Sequence, residues 1–342
     1  MKRLIVILMI AIFLVPAVAI AGGKGFKVGV SNGFITHSWR TQMINNLQKK
    51  AALYQGMGLI SELHIQHAGF DVDLQRSHIQ NFIDSGVDIL LIDPVSLTAL
   101  NPVIEDAVDE GIVTVVSDQP VTSKAPWVIL PTHDVWMEKL AKYVFDRMGG
   151  KGSVVYLSGI DGAPASDMRD RGFERALKGY PNIKLLAKVY GSWDPALAQQ
   201  AMADGIAAYP KIDGVVAHDG ECLSVIRAFD AAGRPQPIVN GSGFRPFFEY
   251  WVKNLDKGFT SYAIANGPGN AMTLALGTAI RIKQGKKPKA SVWDGKVLRI
   301  DHANVITDAN VKEALIEHVR YRGVEDYIDE VKSEEFIDTL FE

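Results

Sequence analysis

The chain has 342 residues, one cysteine and a formal net charge of −3 at pH 7. The slight acidic excess argues against nucleic acid or an anionic membrane surface as a partner, because both attract clustered lysine and arginine. The cysteine, Cys222, cannot form an internal disulfide and is predicted to be buried on a helix. A chain of this length exceeds the size at which a single core stops growing, which predicts two lobes.

The first predicted element is a cleavable signal peptide over residues 1–21. Lys2 and Arg3 precede an apolar run at residues 4–15, and small residues with A-x-A spacing follow at residues 17–21. A membrane-spanning helix would need about 20 apolar residues and no cleavage site. We therefore expect export to the periplasm, and the absence of a cysteine near the cleavage site argues against a lipid anchor.

Short apolar runs of β-type composition then alternate with longer amphipathic segments. The pattern predicts strands at residues 26–30, 62–66, 89–92, 113–117, 153–157, 184–189, 214–217, 237–240 and 261–265. It predicts helices at residues 38–54, 74–85, 97–110, 134–148, 196–209, 221–232 and 268–284. Strands that are apolar throughout imply helices on both faces of mostly parallel sheets, so the predicted fold class is doubly wound α/β.

The alternation runs twice along the chain, which predicts two similar lobes joined by short hinge segments. Residues 24–132 plus 267–299 are assigned to the N-terminal lobe, and residues 133–266 plus 300–342 to the C-terminal lobe with a helical C-terminal extension. Ligands of open α/β sheets bind beyond the carboxyl ends of the strands. Two facing lobes would therefore enclose a site lined by the residues that follow each strand.

Polar and aromatic side chains follow nearly every predicted strand. A sugar or polyol offers vicinal hydroxyls that pair with Asp, Asn and Arg, and an apolar C–H face that stacks on an aromatic ring. Each residue alone is also explained as a helix cap or turn former, so the argument for binding rests on their joint position. The candidate ligand-binding residues are Ser31, Asn32, His37, Trp39, Asp93, Asp118, Gln119, Arg169, Trp193, Asp219, Ser242 and Asn266.

Residues 158–173 combine a glycine-rich turn, Arg169 and the pair Gly172-Phe173. In this segment the chain resembles the type 1 periplasmic sugar-binding proteins, the family of the ribose-binding and glucose/galactose-binding proteins, and the resemblance covers about residues 24–301. It implies two Rossmann-like lobes with a hinge, and Arg169 as the clamp on sugar hydroxyls. Arg169 matches the glucose/galactose type, because the ribose type has its arginine two residues earlier, where this chain has Asp167.

The resemblance also implies individual contacts. Trp39 and Trp193 are the expected stacking residues, and the expected hydroxyl partners besides Arg169 are Asp93, Asp118, Asp219 and the hinge amide Asn266. His37 falls at a polar contact of the first loop. Gln119 and Ser242 depart from the family, which has a charged residue and commonly an aspartate there. The implied ligand is a sugar or polyol, and pentoses, hexoses, inositols and shorter polyols all stay open.

Signals for catalysis, cofactors or metals are weak. Residues 241–243 lack the G-x-S-x-G spacing, and residues 149–153 lack the spacing of a phosphate-binding loop. His64 and His67 are three apart on a predicted strand and would point to opposite faces, which argues against a shared metal. His218-Asp219, or a pair of strand-end aspartates, lacks an identifiable nucleophile or water-activating group. We expect no catalytic residue, cofactor or metal.

The leading hypothesis is the periplasmic solute-binding component of an ABC importer, which captures a sugar or polyol between its lobes and delivers it to the permease in the inner membrane. One alternative is a sensory binding protein for a chemoreceptor or histidine kinase, and another is a periplasmic carbohydrate-active enzyme. A repressor on the same scaffold is excluded, because the signal peptide occupies the place of a helix-turn-helix. We expect a monomer that binds no nucleic acid.

Overall fold

The computed structural model describes residues 25–35, 37–322, 326–329 and 331–342. The predicted signal peptide at residues 1–21 lies outside the described residues. Across the described ranges, no helix has both the length and the apolar character that crossing a bilayer requires.

The first lobe is a parallel sheet covered by helices on both faces. Its elements are β1 (Phe26–Asn32), α1 (Ser38–Gly56), β2 (Ile60–His67), α2 (Val72–Asp84), β3 (Ile89–Asp93), α3 (Asn101–Asp109), β4 (Val113–Ser117), β5 (Trp127–Pro131), α9 (Met272–Lys283), β11 (Val297–Ile300) and α11 (Glu334–Thr339). The strand order is β11-β5-β4-β3-β1-β2, with every neighbour parallel. All five residues of β3 are buried, because cores lie on both faces of the sheet.

The second lobe repeats this plan on a smaller parallel sheet. Its elements are α4 (His133–Arg147), β6 (Lys151–Ser158), α5 (Pro164–Lys178), β7 (Asn182–Tyr190), α6 (Pro195–Ala208), β8 (Gly214–Ala217), α7 (Glu221–Ala231), β9 (Ile238–Val239), α8 (Arg245–Asn254), β10 (Tyr262–Ile264), β12 (Val305–Thr307) and α10 (Val311–Arg322). The strand order is β7-β6-β8-β9, and β10 pairs with β12 in a separate antiparallel ribbon. Apolar cores again lie on both faces of the sheet.

The predicted α/β fold class is confirmed, and each predicted strand and helix is present. β4 and β8 have the predicted bounds, and the other elements have shifted ends. The first turn predicted for α9 is instead a separate 3₁₀ turn at Pro268–Asn270. The sequence pattern did not indicate β5, α5, α8, β11 or β12. In α5, Gly172 lowers the helical signal, yet a Cβ at Gly172 would clash with the backbone of Asp134 in α4, so the glycine allows the two helices to approach closely.

The two C-terminal helices pack on different lobes. α10 lies on α8 of the second lobe, where Val311 joins the core. α11 lies on the first lobe, where Ile337 joins the core against α1 and α9 and Asp338 pairs with Arg281 at 2.7 Å. The structure thus differs from the predicted division, which places all of residues 300–342 in the second lobe. The chain passes between the lobes after β5, after β10, after β11 and again between α10 and α11.

Candidate ligand-binding site

A cavity of about 290 Å³ lies between the carboxyl ends of the two sheets. This volume suits one small ligand rather than a polymer. Both lobes and the C-terminal segment contribute to its wall. The lining residues are His37, Ser38, Trp39, Arg40, Asp118, Ala165, Arg169, Trp193, Pro195, Asp219, Gly220, Glu221, Phe244 and Tyr327.

The first-lobe wall is built around Arg40, in the first turn of α1. Its guanidinium pairs with Asp93 and, at 3.0 Å, with Asp118. These carboxylates meet because β3 and β4 are parallel neighbours and end at the same edge of the sheet. The guanidinium carbon also lies 4.5 Å from the centre of the Phe34 ring. The three charged side chains are at most 5 % exposed, so each depends on its partner to remain charged.

Asp118 connects this first-lobe cluster to the cavity. Burial raises the pKa of its carboxyl, but Arg40 and His133 outweigh burial and hold the pKa well below its usual range. His133 also donates from Nε2 to the Asp118 carbonyl oxygen at 3.0 Å. Asp118 therefore faces the cavity as a fixed carboxylate acceptor.

The second-lobe wall contains another arginine–aspartate pair. Arg169 of α5 binds Asp219, beyond the end of β8, at 2.5 Å from Nη1 to Oδ2. The Asn266 side chain, in the crossing after β10, donates to the other oxygen of Asp219. Within the described residues, Nε of Arg169 has no hydrogen-bond partner although it is buried. Arg169 therefore keeps an N–H group with which to donate to a ligand.

Trp193 forms an aromatic wall that is held from three sides. Its backbone N–H donates to Glu221 Oε1 at 2.9 Å, and its indole N–H donates to His218 Nδ1 at 3.3 Å. Burial and the charge of Arg169 lower the pKa of His218 well below its usual range, so the ring is neutral and Nδ1 can accept. The indole lies parallel to the Phe34 ring at 6.1 Å between centroids. Its orientation is fixed before any ligand arrives.

His37 is the N-cap residue of α1, and Trp39 lies in the first turn of this helix. The Trp39 indole N–H donates to the Asn266 carbonyl oxygen at 2.7 Å, so this ring also ties the first lobe to the hinge. Burial and the charge of Arg40 lower the pKa of His37 to about 4. His37 is therefore neutral at pH 7, and its Nε2 has no hydrogen-bond partner among the described residues.

Glu221 places an unusual carboxyl group in the cavity wall. Burial, and then the charge of Asp219, raise the pKa of this side chain well above its ordinary 4.5. Oε1 accepts from Trp193, while Oε2 has no partner in the described part of the chain. A protonated Glu221 can donate a hydrogen bond to a ligand oxygen.

Three cavity residues have left-handed backbone conformations. The φ angles are 69° at Asp118, 54° at Trp193 and 36° at Asp219. Such conformations are unfavourable for residues with side chains and cluster at functional sites. Their occurrence at three strand ends around one cavity supports a functional site there.

Comparisons with known proteins identify the family of the chain. Residues 28–287 match the family model described as periplasmic binding protein domain. The chain is 30 % identical over 265 residues to a xylitol-binding protein of Mycolicibacterium smegmatis, covering 75 % of this chain and 72 % of the relative. It is 24 % identical to the ribose import binding protein of Bacillus subtilis over 85 % of this chain and 96 % of the relative.

A solved structure is also similar. An ABC transporter solute binding protein from Thermobispora bispora superimposes with a TM-score of 0.80 at 26 % identity, covering 92 % of this chain and 94 % of that one. The chain belongs to the type 1 periplasmic sugar-binding protein family. The resemblance drawn from residues 158–173 is thereby confirmed, as is the expectation of a binding protein rather than an enzyme.

The periplasmic binding protein brings half of the candidate residues to the cavity itself. The structure places Asp93, Gln119 and Asn266 behind that lining. Gln119 donates to Asp93 at 3.1 Å and accepts from the Ala165 N–H of the second lobe at 3.2 Å, so it links the lobes. The candidates that line the cavity are His37, Trp39, Asp118, Arg169, Trp193 and Asp219.

Ser31, Asn32 and Ser242 are buried but are not part of the cavity lining. Asn32 donates to the Phe34 carbonyl oxygen at 2.6 Å and contacts His67, so it shapes the first loop. The hydroxyls of Ser31 and Ser242 have no partner within the described residues. These residues follow or end strands as expected, yet other groups lie between them and the cavity.

Arg40, Glu221, Phe244 and Tyr327 line the cavity but were not among the candidates. Arg40 and Glu221 lie within the first residues of predicted helices. They follow the candidate residues His37 and Asp219 by three and two positions. Tyr327 comes from the C-terminal segment, whose path the strand pattern does not reveal.

The described residues show no grouping of three or more His, Cys, Asp or Glu side chains suited to a metal ion. His64 instead contacts Glu62 at 3.0 Å, and His67 contacts Asn32 at 2.9 Å. Cys222 is fully buried on α7 as predicted, and its thiol donates to the Asp219 carbonyl oxygen at 3.1 Å.

Proposed function

We propose that this periplasmic binding protein captures one neutral sugar or polyol between its lobes and presents it to the permease of an ABC importer. The observation that carries the proposal is that both arginines of the cavity wall are already paired with carboxylates. Arg40 already pairs with Asp93 and Asp118, and Arg169 pairs with Asp219. No unpaired positive charge stands among the lining residues described, so an anionic ligand would lack a counter-charge.

The available hydrogen-bonding groups suit hydroxyls, which both donate and accept. Asp118 is an acceptor, Arg169 and protonated Glu221 are donors, and neutral His37 has a ring nitrogen without a partner. Hydroxyl groups on adjacent carbons would satisfy these groups together. A carboxylate would satisfy only the hydrogen-bond donors of the cavity, and an ammonium group would satisfy only its acceptors.

Aromatic rings supply the apolar part of the cavity. The faces and edges of Trp39, Trp193, Phe244 and Tyr327 line it together with Ala165. The C–H groups of a sugar ring or polyol chain pack on such rings while the hydroxyls point to the polar groups. The relatives support this chemical class, since one is named for xylitol and another for ribose import.

Contacts from both lobes explain capture. The ligand would bridge Asp118 of the first lobe and Arg169, Trp193 and Asp219 of the second. Binding then favours the closed arrangement by the difference in affinity between closed and open forms. Delivery to a permease follows from release when the lobes open, and the importer role is supported by the ribose relative, which is an import binding protein.

The proposal is tested by a thermal-shift screen of protein purified from the periplasm after expression with its own leader. The panel contains xylitol, D-ribose, D-allose and myo-inositol, with gluconate and glucosamine as charged controls. A ligand at 100 times its dissociation constant adds about 2.7 kcal/mol to the free energy of unfolding. We expect stabilisation by at least one neutral compound and none by the charged controls. Stabilisation by the charged compounds alone would contradict the proposal, as would no response to the whole panel.

A further inference from the structure

We propose that Tyr327, supplied by the C-terminal segment 326–329, is a specificity-determining residue that closes the hinge-side end of the cavity and limits the ligand to one small ring or chain. The inference rests on the proposed function, because it concerns the size of the sugar or polyol. It adds to that site a residue that lies outside the two sheets.

The Tyr327 side chain is part of the cavity wall. It is 5 % exposed and lines the cavity beside Phe244, whose ring centroid lies 5.3 Å from its own. At its far end, the hydroxyl oxygen lies 3.1 Å from the position that a Cβ on Gly220 would take. The phenol ring therefore spans from Phe244 to the start of α7, and a ligand atom cannot extend through it.

The backbone of Tyr327 is held by the first lobe. The Gln42 side chain on α1 donates to the Tyr327 carbonyl oxygen at 3.0 Å and accepts from its N–H, also at 3.0 Å. Both hydrogen bonds come from one amide group, so they fix the position and the rotation of this peptide together. Gln42 is thereby a positioning residue for the ring.

The neighbouring residues are held by the second lobe. Ile328 N–H donates to the Gly243 carbonyl oxygen at 2.7 Å, and Arg245 N–H donates to the Asp326 carbonyl oxygen at 2.6 Å. Tyr327 and Phe244 also face each other as an antiparallel bridge. The segment 326–329 thus binds both lobes at once.

The segment lies directly on the hinge. Asp329 accepts from the Gly269 N–H at 2.6 Å and from the Asn46 side chain at 2.5 Å. A Cβ at Gly267 would clash with the Ile328 carbonyl oxygen, so the glycine allows the segment to approach the crossing after β10. Because the backbone is anchored at the hinge, the Tyr327 ring forms a fixed end to the cavity rather than an adaptable one.

The test compares each of two sugars with its methyl glycoside, which carries one added methyl group on the anomeric oxygen. Calorimetric titration measures the dissociation constants of D-ribose, D-allose and their methyl glycosides for wild-type protein and for Tyr327→Ala. The ratio of the methyl glycoside constant to that of its parent sugar reports the space at the end of the cavity. We expect this ratio to fall by about tenfold or more in Tyr327→Ala, since removing the ring admits the added methyl group.

Two further variants and a control complete the comparison. Tyr327→Phe keeps the ring and should keep the wild-type ratio, whereas Tyr327→Leu keeps apolar packing on Phe244 and should give an intermediate ratio. Tyr190→Ala removes a tyrosine that lies outside the cavity lining and should leave the ratio unchanged. The leucine variant keeps the test decisive if Tyr327→Ala does not fold.

The possible results separate the two proposals. Wild-type binding of D-ribose or D-allose with an unchanged ratio in both Tyr327→Ala and Tyr327→Leu would overturn the role of Tyr327 and leave the proposed function intact. Failure of wild-type protein to bind any neutral compound, in this titration and in the thermal-shift panel, would overturn both.

Discussion

The two lobes hold similar arginine–aspartate groups, but they use them differently. In the first lobe, Arg40 binds both Asp93 and Asp118, and the three side chains are 0–5 % exposed. In the second lobe, Arg169 has one carboxylate partner, Asp219, which is 13 % exposed, and its Nη2 also lies 3.4 Å from His133 Nδ1. The guanidinium keeps a buried Nε–H without a partner within the described residues. The first-lobe arginine is paired with two carboxylates, and the second-lobe arginine is paired with one.

Because of this difference, the two arginines have different roles. A buried arginine with two carboxylate partners mainly sets the shape of a wall, because its loss leaves two buried charges uncompensated. An arginine with one carboxylate partner and a buried N–H without a partner can add a ligand to its contacts without losing the aspartate. Arg40 therefore mainly holds the shape of the first-lobe wall, whereas Arg169 can contact the ligand directly.

Replacing Arg40 by Ala gives the largest expected effect, because it leaves Asp93 and Asp118 as buried carboxylates without their partner. We expect a loss of about 3–5 kcal/mol in the free energy of unfolding, measured by urea denaturation. Arg76→Ala is the control, since Arg76 pairs with Asp73 at an exposed position and should change stability by less than about 1 kcal/mol. If Arg40→Ala were as stable as this control, the comparison between the lobes would be wrong.

Replacing Arg169 by Ala should act on binding. Loss of a charged hydrogen bond predicts about 1.5–3 kcal/mol weaker affinity for the neutral ligand found in the screen, measured by titration calorimetry. Arg175→Ala is the matched control, because Arg175 lies on the same helix and pairs on the surface with Asp134 and Glu138. Equal affinities of the two variants would remove Arg169 from the ligand contacts.

The pH dependence of stability should differ between the two walls. Glu221, beside Asp219, has a folded pKa above its ordinary 4.5, so its contribution to stability is fully present below pH 4.5 and is lost as pH rises through the raised pKa. Glu221→Gln cannot lose a proton. Its free energy of unfolding should therefore increase relative to wild type between pH 4.5 and 8, by up to about 1.4 kcal/mol for each unit of pKa shift.

The contribution of Asp118, in the first lobe, to stability changes with pH in the opposite direction. Its lowered pKa gives a contribution that is present above its ordinary 3.8 and is lost as pH falls. Urea denaturation of wild type and Glu221→Gln at pH 4.5, 6 and 8 therefore isolates Glu221, because the Asp118 contribution is common to both proteins. A constant difference across this pH range would show that Glu221 is ionised in the folded protein.

The smallest effect is expected at Ser242, which the sequence placed among the ligand contacts and the structure places outside the cavity lining. Ser242→Ala removes a buried hydroxyl that has no hydrogen-bond partner among the described residues, a change that is close to neutral. Affinity and stability should both stay within about 0.5 kcal/mol of wild type. A loss of affinity as large as that of Arg169→Ala would mean that the cavity extends further than described.

Much of the fold and part of the site could be predicted because both follow from local patterns. Buried strands such as β3 are apolar throughout, and the position after a parallel strand is where α/β folds place ligands. Asp118, Trp193 and Asp219 were found by this rule. Arg169 was identified through the family resemblance of its segment.

The remainder depends on contacts between distant parts of the chain. Arg40 gains its role only when β3 and β4 bring Asp93 and Asp118 beside α1, which no local spacing shows. Tyr327 is 285 residues from Gln42, the side chain that fixes its backbone. The packing of α11 on the first lobe likewise depends on a distant apolar surface. A helix of six residues is too short for its hydrophobic periodicity to show where it packs.

The central claim is that one neutral polyhydroxylated molecule lies between the lobes and contacts both walls. A crystal structure of the protein with the compound that binds best in the screen tests this directly. We predict ligand density within hydrogen-bond distance of Asp118 on one side and Arg169 on the other, with its C–H face against Trp193. Density at any other place, with this cavity filled only by water, would contradict the account.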